Sequence, residues 1–215
     1  MSLTLILILA IIGFGLIYLL TFHPFRSASM KTIYVPKKAV TYLRKNSEHN
    51  NREIAMELDY TQKSAPYPSK EIIKRGTNGE VNPGLFASEE IIAHTHGPVR
   101  NKDPITNAYE TELRERPSIA DLLFSKRQGI EFVSTPSGRL LEFNAEHANI
   151  RKLNNKIERE AQMKANEQIF PSDPKTARES ARLANYYFIK KTESLGVKYK
   201  QLDPNKPIKF KTEVK

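Results

Sequence analysis

Residues Leu3 to Phe22 read LTLILILAIIGFGLIYLLTF, twenty positions without a charge. A helix rises about 1.5 Å per residue, so this stretch would be roughly 30 Å long, the thickness of a bilayer's hydrocarbon core. It predicts a membrane-spanning helix from Leu3 to Phe22, and the remaining chain is read outward from it. Gly13 and Gly15 are tolerated in lipid, where helical backbone groups stay paired internally. A cleaved signal peptide is the rival. It calls for a basic leading region, a shorter apolar run and a small-residue cleavage site, whereas only Met1 and Ser2 precede the run and Ser27-Ala28-Ser29 follows Arg26. A retained anchor fits better.

The flank sets the orientation, because cytoplasmic-side loops carry excess Lys and Arg near a span. Arg26, Lys31, Lys37, Lys38, Arg44 and Lys45 precede the first acid, Glu48. The body is therefore expected on the cytoplasmic side or its equivalent, a single-pass arrangement in a cellular membrane or a virion's internal membrane. Cysteine is absent, which excludes a disulfide-stapled domain.

Composition bounds the rest. The net charge is +10 and hydrophobic residues make up 39%, a share that falls once the span is set aside. A large self-sufficient core is not expected from such a chain. The basic balance points to anionic partners, with lipid headgroups favoured for the juxtamembrane cluster and nucleic acid weaker.

Five segments follow: an anchor over 1–22, a basic helical segment over 23–60, an irregular proline- and glycine-rich arm over 61–104, a helix-hairpin-helix-helix module over 105–196 and a basic extended tail over 197–215. In the second, KTIYV is extended, Lys37 to Asn46 forms a basic helix with Ala39, Val40 and Leu43 on one side, and Arg52 to Tyr60 forms a short helix. The arm holds only single helical turns at Ser69 to Arg75 and Ser88 to Ala93, and such a long loop is read as partner-binding.

In the module, Asp103-Pro104 starts a helix over Ile105 to Arg114, and Ser118-Ile-Ala-Asp121 is a capping-box-like start with Asp in place of Glu. IEFVS and RLLEFN flank TPSG as a hairpin that a helix or another chain must cover. Ala145 to Phe170 reads as the longest helix of this part. Its stripe, including Ile150, Leu153 and Ile157, faces Ala177, Ala181, Ala184 and Phe188 of a helix over Lys175 to Leu195. In the tail, IKFKTEV alternates like a strand able to join another protein's sheet edge.

No motif carries a chemistry. His94-Thr95-His96, with Glu89 and Glu90 upstream, is the only metal-like cluster, and without cysteine it cannot complete a four-ligand structural site. Phosphate-cradling loops are absent, Ser137 sits in a turn, and Glu142, Glu146 and His147 read as exposed charges at a strand-to-helix junction. No catalytic, cofactor-binding or metal residue is assigned.

The fold expected is mainly α with one β-hairpin: a transmembrane helix, a small α+β module and extended arms. The role expected is structural and non-enzymatic, tethering neighbouring proteins of a large assembly to a bilayer as an accessory subunit or as a minor capsid protein of a virion. The alternative is a membrane-tethered binder of nucleic acid or anionic lipid.

Overall fold

The computed structural model describes residues 29–35, 37–49, 53–58, 73–75, 91–128, 130–203 and 208–214. The chain divides into two compact units, Met1–Ile33 with Lys209–Lys215, and Tyr34–Ile208. The first is built on a two-stranded sheet of β1 (Ser29–Val35) and β8 (Ile208–Val214). The strand-like tail thus pairs with β1 of its own chain.

The second unit is α/β. Its six-stranded mixed sheet runs in the order β3-β2-β4-β5-β6-β7, with β2 (Ile54–Leu58), β3 (Ile73–Arg75), β4 (Ile91–Thr95), β5 (Ile130–Ser134), β6 (Leu140–Asn144) and β7 (Lys198–Leu202). Among the described residues of this sheet only β4 and β5 pair in parallel. A parallel pair needs a long crossover, and here it carries α2 (Pro104–Leu113) and α3 (Ile119–Gln128). Three further helices are α1 (Lys37–His49), α4 (Lys156–Gln168) and α5 (Pro174–Glu193).

Strand register assigns the faces, since directly paired residues project to the same side. His94, Val133 and Leu141 are matched in line on one face, and Thr95, Ser134 and Leu140 on the other. The second face is covered by α1, where Val40 and Leu43 are buried and Ser47 Oγ meets Ser134 Oγ at 2.8 Å. The first packs Val133 and Phe143 against Ile119 and Leu122 of α3, Ile157 and Ala161 of α4 and Phe188 of α5. The result is three layers with the larger core on the α3–α5 side.

Three expectations are corrected. The mainly α architecture gives way to this sheet. Residues read as a helix at Arg52 to Tyr60 and as helical turns at Ser69 to Arg75 and Ser88 to Ala93 contain β2, β3 and the first part of β4. Short apolar runs do not distinguish strand from helix by periodicity, and pairing on both sides of β2 and β4 decides for strand.

The long helix over 145–170 shrinks to Lys156–Gln168. Before it, the asparagine-rich 149–155 stretch forms turns, with Lys156 N donating to Asn154 Oδ1 at 2.9 Å, because short polar side chains compete for backbone groups. Leu153 is still buried, but Ile150 is 46% exposed. Ile157, Ala177, Ala181, Ala184 and Phe188 are buried on α4 and α5, and α5 packs against both α4 and α2.

The third correction concerns the membrane. Among the described residues no helix is long and apolar enough to cross one. The longest, α5, spans 20 residues but carries Arg178, Arg182, Lys190 and Lys191. Leu3 to Phe22 and Arg26 lie outside the described residues. Lys31 falls on β1, Lys37 and Lys38 open α1, Lys45 is exposed on α1, and Arg44 pairs with Glu48 at 3.5 Å. The single-pass localisation, and the virion and capsid setting attached to it, are therefore withdrawn.

Local chemistry explains the helix boundaries that position the site. Asp103 caps α2 by accepting from Thr106 N at 2.8 Å, with Pro104 at the first helical position. Asp173 and Thr176 form a capping box on α5. Gly196 ends the turn after α5 at φ +99°, and a Cβ there would lie 3.0 Å from His147 O, so glycine suits both conformation and space.

Candidate metal centre

Two local rules bring three ligand-type side chains together. Successive strand residues alternate faces, so His94 at the end of β4 and His96 just beyond it point the same way. Backbone pairing holds that end of the strand: His96 N donates to Ser134 O at 2.8 Å and Ile54 N donates to Thr95 Oγ1 at 2.9 Å. The second rule is the capping box. Ser118 Oγ accepts from Asp121 N at 3.2 Å, while Asp121 Oδ2 accepts from Ser118 N at 2.6 Å and from Ser118 Oγ at 2.8 Å. That reciprocal grip fixes the carboxylate at the start of α3.

The same carboxylate faces both histidines. Asp121 Oδ1 lies 3.3 Å from His94 Nε2, Asp121 Oδ2 lies 3.3 Å from His96 Nε2, and the two imidazole nitrogens are 3.2 Å apart. Both histidines are buried, and Asp121 is partly exposed. Among the described residues this is the one group of three side chains placed to hold a metal ion.

The spacing is informative. An ion with ligands at about 2.0 Å in tetrahedral geometry has ligand-to-ligand edges of about 3.3 Å, whereas right-angle ligands of an octahedral ion at the same distance are about 2.8 Å apart. The 3.2 Å edge between the two imidazole nitrogens sits closer to the tetrahedral value, and Asp121 turns a separate oxygen to each nitrogen. Three protein ligands leave one position open, the pattern of catalytic zinc sites; four are needed only for closed structural ones.

Tautomer agrees. His96 Nδ1 lies 3.0 Å from Arg114 O, and a carbonyl only accepts, so Nδ1 carries the proton and neutral His96 presents its Nε2 lone pair to the cluster. The His94 ring meets Phe143 edge-on at 6.3 Å between centroids, an apolar wall on one side.

Glu53 lies next. Continuing the antiparallel register from Ala55 opposite His94 sets Glu53 beside His96 on the same face, where it is buried. Its charge helps raise the His94 pKa. Arg114, 25% exposed at its side chain, lies 3.8 Å from Glu53 Oε1 through Nη1, which also donates to Gly97 O at 3.1 Å.

Charge coupling gives the metal-free site a defined pH response. Burial disfavours protonated His94, but the Asp121 carboxylate, by charge and hydrogen bond, with Glu53 adding to it, outweighs burial and raises the pKa above the ordinary 6.5. Burial likewise opposes ionised Asp121, yet the histidines hold its carboxyl well below the usual 3.8. The His94 contribution to stability is full below 6.5 and is lost as pH rises through the raised value. The Asp121 contribution is full above 3.8 and is lost as pH falls through the depressed one. Thermal melts in chelator should therefore show the wild type losing more stability than His94→Ala as pH climbs past about 6.5. Parallel curves for the two proteins would contradict this coupling.

Sequence reading named both halves of the site but did not join them. By sequence His94 and His96 fall in the irregular arm over 61–104, and Ser118 and Asp121 give only a cap. The usable signal was His-x-His as strand alternation, which aims two imidazoles to one side. The expected packing residues Leu153, Ile157 and Phe188 instead belong to the core beneath α3. Compared with known protein families, curated proteins and solved structures, the chain finds no match, so its function is argued from this geometry.

Proposed function

We propose that the chain is a zinc-dependent hydrolase, in place of the scaffold role that composition suggested. His94, His96 and Asp121 hold the metal, and Glu53 is the general base. The observation that carries this reading is the convergence of His94 Nε2 and His96 Nε2, 3.2 Å apart, on the Asp121 carboxylate, each 3.3 Å from one of its two oxygens, drawn from a strand end and a helix start 25 positions apart.

Zinc at such a site supplies a bound water of lowered pKa and an acid for a polarised oxygen. The chain's own residues do the rest. His96, locked through Nδ1 to Arg114 O, keeps its lone pair directed. Asp121 balances part of the ion's charge and stays oriented by Ser118. Glu53, buried on the same face, accepts the proton from the attacking water, and Arg114 Nη1 lies 3.8 Å from its Oε1.

The test is turnover of fluorogenic amide, ester and phosphodiester probes by the full chain with and without zinc. One probe class is expected to be hydrolysed in a zinc-dependent way. Glu53→Gln is expected to retain zinc and lose about 100-fold or more in kcat, the scale of general-base catalysis. No zinc-dependent turnover in any class, or equal turnover by Glu53→Gln, would contradict the assignment.

A further inference from the structure

The segment joining α2 to α3 holds three consecutive charged residues, each tied to a different element. Arg114 reaches the end of β4. Glu115 is buried and accepts from Ser137 N, Ser137 Oγ and Arg139 Nη2 at 2.7 Å each, which ties it to the β5–β6 turn. Arg116, 5% exposed, enters the helical layer. Its Nε donates to Asn185 Oδ1 at 3.0 Å, its guanidinium lies 3.6 Å over the Phe188 ring, and its Nη1 donates to Glu158 Oε1 at 3.2 Å. Glu158 belongs to α4 and touches no proposed ligand.

Glu158 Oε1 does more than pair with Arg116. It also accepts from Ile119 N at 3.1 Å, one of the backbone donors that the first turn of α3 leaves without a helical partner. Asp121 follows two positions later. We propose that Glu158 is a positioning residue for the metal centre, holding the start of α3 so that the Asp121 carboxylate stays available to the ion. This rests on the zinc reading.

Two physical effects act through the one carboxylate. The first is geometric: with Ile119 N engaged by Glu158, the Asp121 carboxylate is left to grip Ser118 and to face the histidines. Without Glu158, the Ile119 N–H becomes a rival donor beside Asp121. The second is electrostatic. Arg116 is buried, and Glu158 is its strongest charge partner, with Asp121 acting on it more weakly. Loss of the Glu158 charge leaves a buried cation drawing on Asp121 and repelling an incoming ion. Glu158 therefore shields the site from Arg116 while aiming one of its ligands.

The experiment measures Zn²⁺ affinity of the full chain by chelator competition, alongside denaturant unfolding in excess chelator. Wild type, Glu158→Ala, Glu158→Gln, Asp121→Ala and the control Glu160→Gln are compared; Glu160 is an exposed neighbour on α4 paired with Lys156. Losing a direct outer partner of a metal ligand weakens metal binding by about 10- to 100-fold, and Glu158→Ala, which acts through Ile119 and Arg116, is expected at the lower end, about 10-fold. Glu158→Gln keeps an acceptor for Ile119 N without the charge and is expected to fall between it and wild type. Glu160→Gln is expected to match wild type.

A Glu158 variant that loses chelator-state stability yet binds zinc within about twofold of wild type would overturn the positioning role while leaving the metal reading intact. Should Glu158→Ala fail to fold, Glu158→Gln carries the same comparison. If Asp121→Ala binds zinc as tightly as wild type, the metal reading fails first and the proposal with it.

Discussion

Replacing Asp121 with alanine is expected to weaken zinc binding by more than about 100-fold, beyond the range found when only an outer partner of a ligand is removed. Asp121 is the sole carboxylate of the three-member ligand set among the described residues. Without it two neutral imidazoles remain, and the ion keeps its full charge in a buried setting. The same change removes one arm of the Ser118 capping box, which costs about 0.5–2 kcal/mol of stability. These effects separate with Asp121→Asn, which retains an acceptor for Ser118 N but not the charge. Isothermal titration should then show zinc affinity still lost, while denaturant unfolding in chelator should show the Ser118 contact kept and only the Asp121–His94 charge coupling removed. Tight zinc binding by both variants would contradict the assignment of Asp121.

Phe188→Ala is expected to destabilise the protein by about 3–5 kcal/mol, the usual cost of removing a buried aromatic ring from a packed core. Phe188 is fully buried, shares a cluster with Val133, Phe143 and Leu122, and carries the Arg116 guanidinium on its face. Truncation leaves both a cavity and a cation without its ring, the latter worth up to about 2 kcal/mol when desolvated. Urea unfolding in chelator should show the midpoint falling with little change in slope. Ile150→Ala, at a half-exposed turn position, is expected to stay within about 0.5 kcal/mol of wild type. A similar loss in both variants would mean that the α4–α5 layer is not packed as described.

What could be read from the residues, and what could not, follows from the range of the forces involved. The hairpin at β5 and β6 was legible because alternation and the TPSG turn are local, and Gly138 takes the left-handed conformation that turn requires. Helices α2 and α5 were legible from Asp-Pro starts, and α3 from Ser118 and Asp121. Strands β2 and β4 were not. Their short apolar runs, three residues each at Ile54–Met56 and Ile91–Ala93, fit a helical turn as well as a strand, and only pairing with neighbours decides. The hydrophobic content was also misjudged: Ala177, Ala181 and Ala184 supply a core by close approach of helices where bulk is small.

The site divides the same way. Its cap was visible as a cap and its histidines as a pair, since each depends on spacing of two or three residues. Their convergence depends on the crossover from β4 to β5 laying α3 against β5 and β6, which no short spacing reports. Reading 61–104 as an arm removed the strand alternation that would have aimed His94 and His96 together. Glu158, 37 positions beyond Asp121, enters only through the tertiary packing of α4.

The most direct measurement is X-ray absorption at the zinc edge on the full chain loaded with one equivalent of zinc. The account predicts a four-coordinate ion with two imidazole nitrogens, one carboxylate oxygen and one water oxygen at about 2.0 Å, and loss of the imidazole scattering in His94→Ala/His96→Ala. A six-coordinate ion, or a spectrum unchanged by removing both histidines, would contradict it.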